Sequence, residues 1–172
     1  MSSMKDAFKK AGYKGEMPNN MKNVKTHGDT IDLTINYKNG YDPVKEGEKF
    51  VVRMIEYGKK DYFTTSQLRK IHSYASIVNN KLQMEESKCS SSPYRISEEL
   101  QNDIQYIKLK LIYQMGRDKT VKKWFGSEDV EGVKGIGLDR IISDIGDDKD
   151  KFDRFYRLLE SIIAYKKYLT KE

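Results

Sequence analysis

The residues best suited to chemistry in this chain are cations set among tyrosines. Tyr106, Lys110, Tyr113 and Arg117 follow one another at steps of four, three and four residues, so on a 3.6-residue helix they form one stripe. Two rings interleaved with two cations suit an anionic polymer, the cations meeting phosphate and a ring lying against a ribose or a base. The same spacing also describes a solvated helix shoulder whose tyrosines lean on neighbouring helices. A second group, Arg69, Ser73, Ser76 and Asn80, places an arginine among small polar residues that would let a phosphate backbone come close. A third, Arg154 and Arg157 with Ser161, Tyr165 and Tyr168, mixes arginine and tyrosine near the C-terminus. Lys119, Lys122 and Lys123 precede an apolar Trp124-Phe125 pair and are expected to face solvent or an anion.

Patterns that would support catalysis are missing. His27 lies in a polar N-terminal stretch and His72 borders an apolar helix face, the usual place of a structural histidine. No H-E-x-x-H, paired-cysteine or nucleophile-elbow motif occurs. Asp144, Asp147, Asp148, Asp150 and Asp153 could suggest Mg²⁺ or Ca²⁺, but they lack the D-x-D-x-D-G loop and distal glutamate of a calcium site. Interleaved with Lys149 and Lys151 at a helix start, they are explained by the helix dipole and a solvated face. Gly132-Val133-Lys134-Gly135 matches the GxxG loop with which KH domains hold RNA, yet the strands of such a sheet are not evident. No Gly-Lys-Ser/Thr follows, so it is no P-loop, and the stretch from Gly126 to Gly137 reads as a flexible linker. The single Cys89 excludes an intramolecular disulfide and a multi-cysteine zinc site, and makes a reducing cytoplasm the default. The chain therefore reads as non-enzymatic, with no metal or cofactor.

Composition agrees with an anionic partner. Of 172 residues 34% are charged, with a formal net charge of +6 and a pI near 9.1. Such a balance favours nucleic acid or a membrane surface without choosing between them. No apolar run approaches the ~20 residues that span a bilayer, and the N-terminus lacks the apolar core of a signal peptide.

The elements that must position these side chains are mostly helical. Ser97 caps a helix running to Gly116, whose left-handed conformation would close it; Leu100, Ile104, Ile107, Leu111 and Met115 form its core stripe, roughly 90° from the tyrosine–cation stripe. Asp42-Pro43 starts a helix to about residue 57, with Phe50, Val51, Met54 and Ile55 as its apolar pairs. Thr64 and Gln67 form a capping box ahead of a helix carrying Leu68, Ile71, Ala75, Val78 and Leu82 on one face. A short helix holds Leu138, Ile141, Ile142 and Ile145. The last helix turns Phe152, Phe155, Tyr156, Leu159, Ile162 and Ile163 inward, with Ser161 on the far side and Lys166, Lys167 and Lys171 at the dipole's negative end. Ile31, Leu33, Ile35 and Tyr37 alternate with polar residues, a short strand with no evident partner in the chain. The expected fold is all-α, a single-domain bundle of about five helices over residues 41–172. Residues 1–40 precede it as a basic flexible extension, in which Lys5, Lys9, Lys10, Lys14, Lys22 and Lys25 could add affinity for RNA or DNA.

Three blocks resemble a known family. Thr64-Thr65-Ser66-Gln67-Leu68-Arg69-Lys70 is similar to the T-T-S-Q-[IL]-R segment of the small subunit of type III-A (Csm) CRISPR effector complexes. Ser97 to Asp118 resembles that family's central helix, and Asp148 to Tyr168, with E-[SA]-[IL]-[IV]-A-Y-x-K-Y, its last one. The resemblance covers about residues 45–172. It implies a non-catalytic helical subunit that stacks with other copies of itself along the channel where guide RNA pairs with target RNA. The implied protein partners are the guide-binding backbone subunits and the large signature subunit, with no membrane. Contact with RNA of any sequence implies phosphate and sugar contacts, for which Arg69 and Arg117 lead, followed by Lys70, Lys110, Lys119 and Lys123, then Arg154 and Arg157. The competing expectation is a helical adaptor that works through protein contacts without binding RNA.

Overall fold

Four long helices carry the fold, and each begins where the sequence supplies a cap. The computed structural model describes residues 30–58, 62–90 and 93–170. Helix α1, Pro43–Gly58, starts at Asp42, whose Oδ1 accepts from the amides of Val44 and Lys45 at 3.0 and 3.2 Å. Helix α2, Thr65–Lys88, starts with the expected capping box: Gln67 N–H donates to Thr64 Oγ1 at 3.2 Å, and Thr64 N–H to Gln67 Oε1 at 2.6 Å. Ser97 Oγ accepts from Leu100 N–H at the start of α3, Glu98–Arg117. Two short helices follow, α4 at Lys119–Phe125 and α5 at Leu138–Ser143, before α6, Lys149–Thr170. The described residues thus form six α-helices where about five were expected. The addition is α4, which Asp118 creates by taking the Thr120 and Val121 amides on one carboxylate oxygen. Helix α3 consequently runs through Gly116, which is helical and not left-handed, and ends at Asp118.

Helix α6 packs on α1 and α2, α2 on α3, and α3 on α4 and α5. The apolar stripes read from the sequence meet in one core, with Trp124 and Phe125 buried in it. Phe50, Phe63 and Phe125 form a ring cluster whose centroids lie within 6.4 Å. Helix α6 lies between two helices, so it buries more of its circumference than one stripe. Ser161, expected outside, is buried and donates to the Val44 carbonyl at 3.0 Å. Lys166, read as suiting the negative end of the helix dipole, is buried near Thr65 and the rings of Tyr62 and Phe63.

The glycine-rich stretch is a hairpin, not a linker. Strands β2 (Asp129–Val130) and β3 (Val133–Lys134) are antiparallel, joined by Glu131 and Gly132 at φ 56° and 76°. Two consecutive positive φ values are what a two-residue hairpin turn requires. Strand β1, Ile31–Asp32, pairs in parallel with β3, giving the order β1-β3-β2. The alternating segment therefore finds its partner within the chain, and Leu33 and Ile35 are buried. Residues 31–35, expected in the N-terminal extension, belong to the folded unit. The rest of the expected basic arm, residues 1–29, lies outside the described residues. Gly135 reflects a close approach: a Cβ there would stand 2.5 Å from the Trp124 carbonyl oxygen.

Another glycine fixes how close α1 and α6 come. A Cβ on Gly47 would stand 2.3 Å from Ser161 Oγ and 2.7 Å from its Cβ. Overpacking of this kind costs about 1–3 kcal/mol, against the ~1 kcal/mol that alanine gains over glycine in a helix. Gly47→Ala is expected to lower the midpoint of thermal or urea unfolding. The double variant Gly47→Ala/Ser161→Gly should be more stable than the sum of the single changes, and strict additivity would show that the two helices do not meet there.

Candidate nucleic-acid interface

Helices α2 and α3 are packed side by side and leave a groove of about 530 Å³ between their outer shoulders. Helix α2 lines it with Gln67, Lys70, Ser73 and Tyr74, a set at helical spacing. Helix α3 contributes Lys110, Tyr113, Gln114 and Arg117, and Asp118 and Val121 close one end. The tyrosine–cation stripe of α3 is thus a wall of this groove. Tyr106, just outside it, packs edge-on against Tyr74 at 6.1 Å. The Lys110 ammonium lies 4.6 Å from the Tyr106 ring centre and 5.7 Å from that of Tyr74. Its interaction with the Tyr106 phenol holds this ammonium above the ordinary lysine value, so Lys110 is charged at any physiological pH. The Arg117 guanidinium stands over Tyr113 at 5.6 Å.

The end of the groove is held rigidly. Gln67 Nε2 donates to Asp118 Oδ2 while its Oε1 completes the α2 capping box. Asp118 Oδ1 meanwhile caps α4. Both groups of Gln67 and both oxygens of Asp118 are therefore in use.

Position and ion pairing together divide the eight cations expected to meet RNA. Lys70, Lys110 and Arg117 line the groove, and no described carboxylate lies within salt-bridge distance of any of them. Arg69 is exposed on α2 beside Lys70 but does not line the groove. Lys119 and Lys123 both reach Glu131 in the hairpin turn, Lys123 at 3.6 Å, and Lys122 reaches Glu128 at 3.1 Å. Arg154 is half-buried beside Tyr41, across the bundle at a small cleft that it lines with Tyr37 and Asp144. Arg157 is exposed on α6. The eight are therefore not one surface: three converge, one adjoins them, two are held by a glutamate, and two belong to α6.

Other expectations resolve locally. Ser76 does not share an open face with Arg69: its hydroxyl donates to the His72 carbonyl at 2.9 Å and lies 3.2 Å from the Tyr156 hydroxyl. His72 stacks on Tyr156 at 5.2 Å, as a structural histidine would. The acidic cluster disperses into separate partnerships, Asp144 with Lys151, Asp147 with Arg95 and Asp153 with Lys149, while Asp148 caps α6. Among the described residues no group of three or more His, Cys, Asp or Glu could hold a metal ion, and no helix is long and apolar enough to cross a membrane. Tyr74 and Gln114 are among the groove residues that sequence reasoning missed, and Gln67 reads in the sequence only as a helix cap. Tyr74 stands one helical turn after Lys70, a signal that means something only once α2 is known to lie beside that flank of α3.

Fold and groove together define a helical-bundle protein with a rigid, tyrosine-lined cationic cleft. The model of the Csm2 type III-A family matches residues 44–172. A protein of Mycobacterium tuberculosis described as CRISPR system Cms protein Csm2 is 32% identical over 129 residues, 74% of this chain and 91% of that protein. A protein of the same description from Streptococcus thermophilus is 28% identical over 127 residues, 73% and 88% of the respective lengths. The chain belongs to the Csm2 family, the small subunits of the type III-A Csm complex.

The Glu131 pairing is testable by itself. Its carboxyl is held below the usual glutamate value, first by the Lys119 hydrogen bond and then by the Lys119 and Lys123 charges. A lowered carboxyl keeps the pair intact at neutral pH and releases it only as pH falls through the lowered value. In an NMR titration Glu131 should have a midpoint below that of a free glutamate, and Lys119→Met should move it upward. An unchanged midpoint in Lys119→Met would show that no pair exists.

Proposed function

We propose that this chain is the non-catalytic RNA-binding small subunit of a cytoplasmic type III-A CRISPR effector acting in antiviral defence. Copies of it line the channel in which guide RNA pairs with target RNA, beside the guide-binding backbone subunits and the large signature subunit. The observation that carries this reading is the convergence of Lys70, Lys110 and Arg117, without carboxylate partners, in one groove of a Csm2-family fold. Cations that no carboxylate neutralises keep their charge for phosphate. They stand on rigid helices with no base-reading module, so they hold the backbone whatever the sequence, as a guide that changes from spacer to spacer demands. Arg69 extends the cationic track along α2. Lys119 and Lys123 contribute less while Glu131 holds them, and Arg154 and Arg157 contact either distal RNA or a neighbouring subunit. The exposed Leu109 and Ile112 on the outer face of α3 suit contact with protein neighbours in the stack.

Binding of the full-length protein to two unrelated single-stranded RNAs across a salt series tests this. Each phosphate contact adds about 0.7 to the slope of log affinity against log salt. Lys70→Ala/Arg117→Ala is expected to weaken both RNAs equally and to flatten the slope by about 1.4 in total. Lys119→Ala should have a smaller effect. A double variant that binds like the parent at low and moderate salt removes the groove from RNA contact. A parent that binds neither RNA, yet still joins the other Csm subunits, is the helical adaptor instead.

A further inference from the structure

We infer that the groove between α2 and α3 accepts an unpaired nucleobase, stacked on Tyr113, alongside the phosphates held by its cations. This rests on the RNA-binding reading and goes beyond it, because a backbone-only site needs no open ring. Tyr74 and Tyr106 are occupied with each other and with Lys110. Tyr113 is not: it lines the groove, is 61% exposed and is met on one side by Arg117, so a face of the ring is left open. A flat, polarised ring beside a cation is the platform on which single-stranded nucleic acid stacks without regard to sequence. The hydrogen-bonding group beside it has the same tolerance. The Gln114 side chain lines the groove and makes no hydrogen bond with a described residue, while the Gln67 amide is used at both ends. A free amide offers both donor and acceptor and can turn to suit any base edge.

A base inside a duplex cannot be offered in this way, since its faces are stacked and its pairing edge is in use. The two modes therefore predict opposite preferences. A site that reads charge alone favours the duplex, whose charge density is higher. A stacking site favours the single strand, or a nucleotide turned out of a duplex.

The full-length protein should be titrated, at one salt concentration, with a single-stranded RNA and a blunt duplex of equal length. A 2-aminopurine in the single strand reports stacking. The single strand is expected to bind about tenfold tighter, with quenching of the 2-aminopurine. Tyr113→Leu should lose about tenfold on the single strand, along with the quenching, and leave the duplex unchanged. Tyr113→Phe, which keeps the ring, should behave as the parent, and unchanged thermal unfolding of both variants separates these losses from misfolding. Equal affinity for the two RNAs, with Tyr113→Leu acting on both alike or on neither, overturns the stacking site. If Lys70→Ala and Arg117→Ala still weaken binding in that case, the RNA-binding reading survives. Failure to bind either RNA ends both.

Discussion

The Gln67–Asp118 hydrogen bond is the contact on which the candidate site depends. Gln67 is committed at both ends of its amide, closing the α2 cap with its oxygen and reaching Asp118 with its nitrogen. Asp118 is committed on both oxygens, since the other caps α4. One side-chain pair therefore locks three helix ends together: the start of α2, the end of α3 and the start of α4. A hydrogen bond to a charged group is worth about 1.5–3 kcal/mol net, more than a helix cap alone. It also meets the electrostatic difficulty of a carboxylate beside a cationic groove. With amide donors on both oxygens, the Asp118 charge is satisfied by dipoles and does not draw Lys70 or Arg117 out of position.

Charge is sorted over the rest of the surface in the same spirit. A chain with a net charge of +6 could spread its cations as a general attraction for any polyanion. Here the hairpin turn puts Glu131 against Lys119 and Lys123, and Glu128 against Lys122, so a lysine-rich helix is partly neutralised by its own neighbours. The groove is spared such partners. Exposed ion pairs add little stability, so the consequence of the hairpin pairs lies in where free positive charge remains. That contrast separates Lys70 and Lys110 from Lys119 and Lys123, four lysines that a sequence-based choice ranks together.

What could be read from the sequence follows from how far each signal extends along the chain. Caps and 3.6-residue periodicity are local, so Asp42-Pro43, Thr64 with Gln67, and Ser97 locate three of the long helices, and their apolar stripes are the core. Alternation marks β1, but the two strands of the hairpin are two residues long and offer no period to detect. Their glycines resemble a linker, yet serve a positive φ at Gly132 and a close approach to Trp124 at Gly135. A helical wheel gives an angle but not what is packed there, which is why Ser161, expected outside, is buried on a helix clasped from two sides. The α3 wall of the groove was legible for the same local reason as the helices. On its other wall Lys70 is a candidate from the sequence alone, but Tyr74 and the meeting of the two walls depend on the register between α2 and α3, and Glu131 reaches Lys119 only through the hairpin.

The family match begins at residue 44, downstream of β1, yet the fold does not. Ile31 N–H donates to Gly132 O at 2.8 Å and Leu33 N–H to Lys134 O at 2.9 Å, and the Thr30 hydroxyl reaches Asp129 at 2.8 Å. These bonds hold both strands of the hairpin from one side, while Ile136 N–H holds the chain to the Trp124 carbonyl from the other. A two-stranded hairpin alone is marginal in water, and a third strand with buried Leu33 and Ile35 behind it supplies what it lacks. The turn so fixed carries Glu131, and Glu131 holds Lys119 and Lys123. A segment outside the matched region thus acts through backbone hydrogen bonds on which cations stay free, linking β1 to the charge pattern beside the groove.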